Sequence, residues 1–194
     1  MNIDLASVTR ARAVVLVEGM SDKAALEVLA ERRGQMPSSG GIFVVAMGGA
    51  AGASRFLDLL GPHGIGARVA GLCDAGAEGC FRRALERAGL GSSVSRAGME
   101  VLGFHVCTAD LEDELIRGAA GHAAVGQIIQ AQGELRSLRT FQKQPAQQRR
   151  SSGEQLHRFM GTRSGRKRQY ARLLAGALDL NRVPRPLDRV LAHV

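Results

Sequence analysis

Tryptophan is absent from this chain, tyrosine occurs once, and aromatic residues make up only 4%. The core must therefore be built mostly from Ala, Val, Leu and Ile. Broad stacking platforms for single-stranded nucleic acid are not expected. No run of 18 apolar residues exists, so no membrane span is expected. The opening MNIDLASVTRAR lacks the apolar centre of a signal peptide. Cys73, Cys80 and Cys107 make an odd count with no CxxC spacing. That argues against a disulfide framework or a zinc site and fits a reduced cytoplasm. There is no Gly-x-Ser-x-Gly elbow on which to build a hydrolase triad. The stretch GTRSGRK at 161–167 has neither the spacing nor the preceding strand of a phosphate-binding P-loop. His63, His105, His122, His157 and His193 are scattered without ligand spacing.

What is present is a chain of 194 residues with 45% hydrophobic content, enough for one domain with an appendage or two small domains. Its charge is placed unevenly. Residues 136–172 hold eleven Lys/Arg and one acid, Glu154, while the whole chain carries a formal +8. A near-neutral to acidic body with one basic segment suggests a polyanionic partner.

Periodicity predicts strands over 13–17, 42–46, 67–73 and 99–106, with helices over 20–33, 51–60 and 78–89 between them. A turn is read in QMPSSGG, ahead of the second strand. This alternation implies a mostly parallel sheet covered on both faces, with its strand C-termini on one edge. After residue 109 the pattern becomes helical: DLEDELIRGA, HAAVGQIIQAQ, then about 154–160, 165–178 and 186–192. The polar tract FQKQPAQQRRSSGE reads as a loop. Tyr170 lies at helical spacing with Leu173 and Leu174 and reads as a core residue.

VVLVEGMSDK ends a buried strand in Glu18 and places Asp22 one helical turn later, facing the same edge. Asp74 ends the third strand, Glu78 follows, and Asp110, Glu112, Asp113 and Glu114 follow the fourth. Carboxylates gathered on one edge repel one another unless a cation sits between them. A hard ion with oxygen ligands, Mg²⁺ or Mn²⁺, fits such a set. The turn at Gly48-Gly49 is a candidate donor of free N–H groups to a phosphate.

VVLVEGMSDKAAL, VVAMGG and VAGLCDAG together resemble the Toprim domain of topoisomerases, primases and certain nucleases. The VEGxSD variant, the later TADLEDEL, and the end GRKRQYARLLAGALDLNRVPRPLDRVLAHV are similar to the OLD (overcoming lysogenisation defect) family nucleases. The resemblance spans about residues 13–194. It implies an α/β Toprim (Rossmann-like) core over 1–118 and a helical C-terminal extension with a basic segment over 119–194. It implies metal-dependent cleavage of DNA, with Glu18, Asp22, Asp74, Glu112 and Asp110 as metal ligands. Glu18 and Asp74 are also implied as catalytic groups, and Lys167 as the lysine at the scissile phosphate, with Arg166 and Arg168 beside it.

Two departures stand out. The family's DxD reads Asp74-Ala75-Gly76, which removes one ligand and leaves Glu78 as the nearest substitute. OLD proteins also carry an N-terminal ATPase for which these residues have no room. The expected partners are thus DNA, a separate ATPase subunit and further copies of the chain, in the cytoplasm and away from membranes. The alternative reading is a catalytically degenerate nucleic-acid-binding module that works with such an ATPase.

Overall fold

The computed structural model describes residues 5–35, 41–119 and 122–194; the turn read at QMPSSGG falls largely outside them. Strands β1 (Ala13–Val17), β2 (Ile42–Ala46), β3 (Val69–Cys73) and β4 (Phe104–Val106) form one sheet in the order β2-β1-β3-β4. Every pairing is parallel, with Val15 opposite both Val44 and Ala70, and Gly71 opposite Phe104. Among the described residues, no helix is long and apolar enough to cross a membrane.

β1 shows why its sequence is a continuous apolar run. Side chains alternate between the faces of a strand, and both faces here are covered. Ala13, Val15 and Val17 join one hydrophobic cluster, while Val14 and Leu16 join the other. All five are buried. Each fully buried aliphatic side chain contributes on the order of 2 kcal/mol.

The first face is covered by α2 (Met20–Arg32) and by α6 (Leu111–Gly118), α7 (His122–Ala131), α8 (Leu135–Gln142), α9 (Ser152–Met160), α10 (Arg166–Ala177) and α11 (Arg185–His193). Leu26 and Leu29 of α2 share this cluster with Leu115, Phe159, Leu174 and Leu191. The C-terminal helices therefore complete the core on which the sheet rests. Arg32 donates to the Ala175 carbonyl (2.8 Å), and Arg33 pairs with Asp188 (2.7 Å), which ties α2 to α10 and α11. The second face is covered by α1 (Leu5–Arg10), α3 (Ala53–Leu60), α4 (Glu78–Arg87) and α5 (Arg96–Val101), through Val8, Phe56, Phe81, Leu85 and Met99.

Three elements differ from the sequence reading. The strand expected over 99–106 is only Phe104–Val106, because α5 occupies Arg96–Val101. Ser95 caps α5 by accepting from the Gly98 N–H (3.1 Å), and Gly103, at φ 84°, ends it in a conformation that few other residues adopt. Met99 faces the core and Val101 faces water, a helical division that a short apolar run conceals. Helices α1 and α8 were not expected at all. The loop after α8 turns inward enough to bury Gln147, whose carbonyl accepts from Gln155 (2.9 Å).

Candidate metal centre

β1 is the strand from which the chain crosses to β2 on one side and meets β3 on the other. The crevice beyond the ends of β1 and β3 is thus the topological switch point, where open α/β sheets place their ligands. Glu18 leaves β1 at that crevice and Asp74 leaves β3. The Asp74 N–H donates to Glu18 Oε1 at 2.9 Å, which locks the two strand ends together.

Asp22 sits in the first turn of α2 and accepts from the Gly19 N–H at 2.6 Å. It is 8% exposed. Burial pushes its carboxyl up to about 7, reinforced by the negative charges of Asp74, Glu112 and Glu18 and opposed by the Gly19 N–H. Burial likewise raises Asp74 to about 6, with help from Glu18, Asp110 and Glu112, against the N–H of Leu111. That N–H, the first of α6, donates to Asp74 Oδ1 at 3.2 Å. Asp110 caps α6 by accepting from the Asp113 N–H at 2.9 Å. Two helix N-termini thus face the acids and partly offset their repulsion.

Glu112 is 3% exposed. Its Oε2 meets Lys167 Nζ at 3.0 Å, while its Oε1 is buried with no hydrogen-bond partner. An ionised oxygen shut away from water without a partner is costly, and a cation is the natural complement. Burial pulls the Lys167 ammonium down, but Glu112, then Asp110 and Asp22, hold it above its ordinary value.

His157 of α9 completes the group. Its Nε2 lies 2.6 Å from Asp110 Oδ2. The Asp110 hydrogen bond raises the imidazole's proton affinity, although burial opposes this. For Asp110, burial pushes upward, yet His157 and the Asp113 N–H hold the carboxyl below its ordinary value. Ligand atoms of Asp110, Glu112 and His157 lie within 4.8 Å of one another. The donor set and the orphaned Glu112 oxygen together fit a divalent cation. Sequence spacing missed His157 because 47 positions separate it from Asp110. One signal was there to read: it borders the apolar stripe Leu156, Phe159 and Met160 on a helix of the basic segment.

The structure brings Glu18, Asp22, Asp74, Asp110, Glu112 and Lys167 together. Other expected residues face elsewhere. Glu78 pairs with Arg96 at 3.3 Å. Gly48 and Gly49, expected to offer free N–H groups, donate both to the Glu18 carbonyl (3.0 and 2.9 Å). Their positive φ values turn those N–H groups inward, so the turn buttresses Glu18. Arg166, expected at a phosphate, is 5% exposed and engages a different acid from its neighbour Lys167. It pairs with Glu134 (2.9 Å), donates to the Phe159 carbonyl (3.2 Å) and covers the Phe159 ring. Tyr170 is buried and donates to the same Glu134 (2.8 Å). Arg168 is exposed on α10.

Two cavities flank His157. One, of about 350 Å³, is lined by Asp110, Arg117, Arg150, His157 and Arg158 among others. A second of about 350 Å³ lies against Phe141, His157, Arg158, Thr162 and Lys167. Arg158 and His157 belong to both, so each cavity carries basic groups beside His157.

Comparison with known proteins agrees with this architecture. Residues 11–75 match the family model for the overcoming lysogenization defect protein-like TOPRIM domain. The structure of the C-terminal region of the Burkholderia pseudomallei OLD protein superposes with a TM-score of 0.73 at 20% identity, covering 94% of this chain and 96% of that one. A platinum-phased structure of the C-terminal region of the Xanthomonas campestris pv. campestris OLD protein gives 0.75 at 23% identity, covering 97% and 94%. No curated protein matches the sequence.

Proposed function

We propose that this chain, an OLD-like Toprim domain over residues 11–75 with the fold of an OLD C-terminal region around it, is a divalent-metal-dependent DNA endonuclease. One observation carries the reading: Glu18, Asp22, Asp74, Asp110 and Glu112 converge at the sheet's C-terminal edge with Lys167 beside them. Glu18, Asp22 and Asp74 would hold a Mg²⁺ or Mn²⁺ ion on one side, and Asp110 and Glu112 would serve the other. Such an ion, when bound, neutralises the carboxylates, polarises a phosphoryl oxygen and makes a bound water more acidic.

The chain's own groups do the rest. Glu18 is held by the Asp74 N–H through one oxygen, leaving its second oxygen to accept a proton from the attacking water. Lys167 is half exposed, so its ammonium can meet a phosphate while still facing Glu112. A compact ammonium suits the charge that grows on the phosphate during cleavage. Arg158 and Arg150 line the flanking cavity and would bind adjacent phosphates of the DNA backbone.

The test uses supercoiled and linear DNA with Mg²⁺, Mn²⁺ or EDTA, alongside Glu18→Gln. The expected result is nicking that needs metal and is lost in the variant. Equal nicking by both proteins, or none with any metal, removes the nuclease reading.

Gly76 favours a second reading. It leaves the Asp74-Ala75-Gly76 turn one carboxylate short, as in a degenerate site that binds DNA for a separate ATPase subunit. Salt-dependent DNA binding without cleavage would establish that reading instead.

A further inference from the structure

We propose that His157 supplies a nitrogen ligand to a divalent cation shared with Asp110 and Glu112, so that this position prefers a transition-metal ion of the Mn²⁺ kind over Mg²⁺. The inference rests on the metal-dependent reading above and adds a donor that no carboxylate pattern contains.

The geometry comes first. The three candidate ligand atoms already lie within 4.8 Å of one another. Bonds of about 2.1 Å to a common ion place ligand atoms about 3 to 4 Å apart. The His157 and Asp110 atoms, now 2.6 Å apart in a direct hydrogen bond, need only part slightly as the ion replaces the shared proton. Glu112 supplies the second, independent observation. It is 97% buried, and its Oε1 has no hydrogen-bond partner while Oε2 is taken by Lys167. The free oxygen is the one left to a cation.

Position 76 does not compete for this role. Gly76 is exposed and has no side chain, and Glu78 is engaged by Arg96. α9 therefore delivers from outside the sheet what the β3 turn does not. His157 is well placed for it: Leu156, Phe159 and Met160 anchor α9 in the core, and the imidazole projects between the two flanking cavities.

The chemistry follows from ligand type. Mg²⁺ takes oxygen ligands and keeps several waters, so an imidazole adds little to its binding. Mn²⁺ and the later first-row ions accept imidazole nitrogen readily. One nitrogen among two carboxylates therefore shifts preference without excluding Mg²⁺ from the Glu18, Asp22 and Asp74 side.

The competing role for His157 is to orient Asp110 through their 2.6 Å contact, with no bond to the ion. Pulsed EPR separates the two. Mn²⁺ is added to the full chain, and nitrogen modulation of its signal is recorded with natural and ¹⁵N-labelled histidine. A ¹⁴N coupling that becomes ¹⁵N on labelling, and disappears in His157→Gln, is the expected result. Equilibrium dialysis should show Mn²⁺ binding tighter than Mg²⁺, with Mn²⁺ affinity falling about 10–100-fold in the variant and Mg²⁺ affinity changing less. The labelled wild-type spectrum decides the matter even where the variant folds poorly. Bound Mn²⁺ without histidine coupling overturns this proposal and leaves the metal-dependent reading standing. Mg²⁺ binding without Mn²⁺ binding likewise overturns only this proposal, and binding of neither ion removes both.

Discussion

Lys167 Nζ lies 3.0 Å from one oxygen of Glu112, and the other oxygen of the same carboxylate is buried without a partner. The ammonium is thus half of the neutralisation that this buried acid requires. Lys167→Met removes it and leaves both Glu112 oxygens without a cation. The expected effect on the metal-free protein is a loss of about 1–3 kcal/mol, reduced from the full buried-pair value because Lys167 is half exposed. Denaturant melts with and without Mn²⁺ check this, and the metal should restore more stability to the variant than to the wild type.

Glu18→Gln keeps an oxygen that can accept the Asp74 N–H, so the fold should persist with a melting temperature close to wild type. Metal-dependent nicking should fall about 10²-fold or more, as the loss of a proton-accepting group implies. A variant that melts normally yet cuts normally would remove Glu18 from the chemistry.

Stability should fall as pH rises. The Asp22 and Asp74 carboxyls sit at about 7 and about 6 in the fold, above their ordinary 3.8. Between pH 4 and 7 the folded chain retains protons that the unfolded chain releases, so rising pH favours unfolding until both groups have ionised. For Asp22 the full effect is on the order of 4 kcal/mol. The raised affinity of His157 acts in the same direction, because its protonated pairing with Asp110 is lost as pH climbs. Melting of EDTA-treated protein at pH 5 and pH 8 checks the sign. Mn²⁺ should raise the midpoint more at pH 8, and a flat pH profile would contradict the arrangement.

Arg158 lines both cavities beside His157. If each cavity holds a backbone phosphate, Arg158→Ala lowers DNA affinity for all sequences alike. The slope of log K against log salt should become shallower by about 1. An unchanged slope would place the DNA elsewhere on the basic surface.

Gly76→Asp probes the shortened turn. A Cβ at that position meets nothing within 4 Å, so the substitution should cost less than about 0.5 kcal/mol. Calorimetry should then show tighter binding of Mg²⁺ if the new carboxylate reaches the crevice. If the wild-type protein binds DNA without cutting it, recovery of nicking by this variant would identify the missing ligand as the cause.

Much of the centre was legible because topology does the work. Glu18 and Asp74 end neighbouring parallel strands, so an acid just after each apolar run had to meet the other. Asp22 was legible from one turn of helix, and Asp110 and Glu112 from their place beyond β4. The basic segment hid its own geometry. Arg166 and Lys167 are adjacent in sequence, and only packing decides that one turns into the core and the other toward Glu112. His157 was hidden for the same reason: docking of α9 on α6 brings it to Asp110. The Gly48-Gly49 turn looked like a phosphate cradle because sequence shows positive-φ residues but not where their N–H groups aim. MEVL at 99–102 misled because three apolar residues around Glu100 suit a strand or a single helical turn equally well.

The shared core of the early strands and the late helices bears on synthesis. A nascent chain that has emerged only as far as α6 carries Glu18, Asp22, Asp74, Asp110 and Glu112, yet neither His157 nor Lys167. Those two arrive with α9 and α10, which are seated by the same cluster that buries Leu26 and Leu29 of α2. A ribosome-bound fragment would hold the acids of the centre without their cationic neighbours. The acids thus gain Lys167 and His157 only once translation has released the helices that close over the first strand.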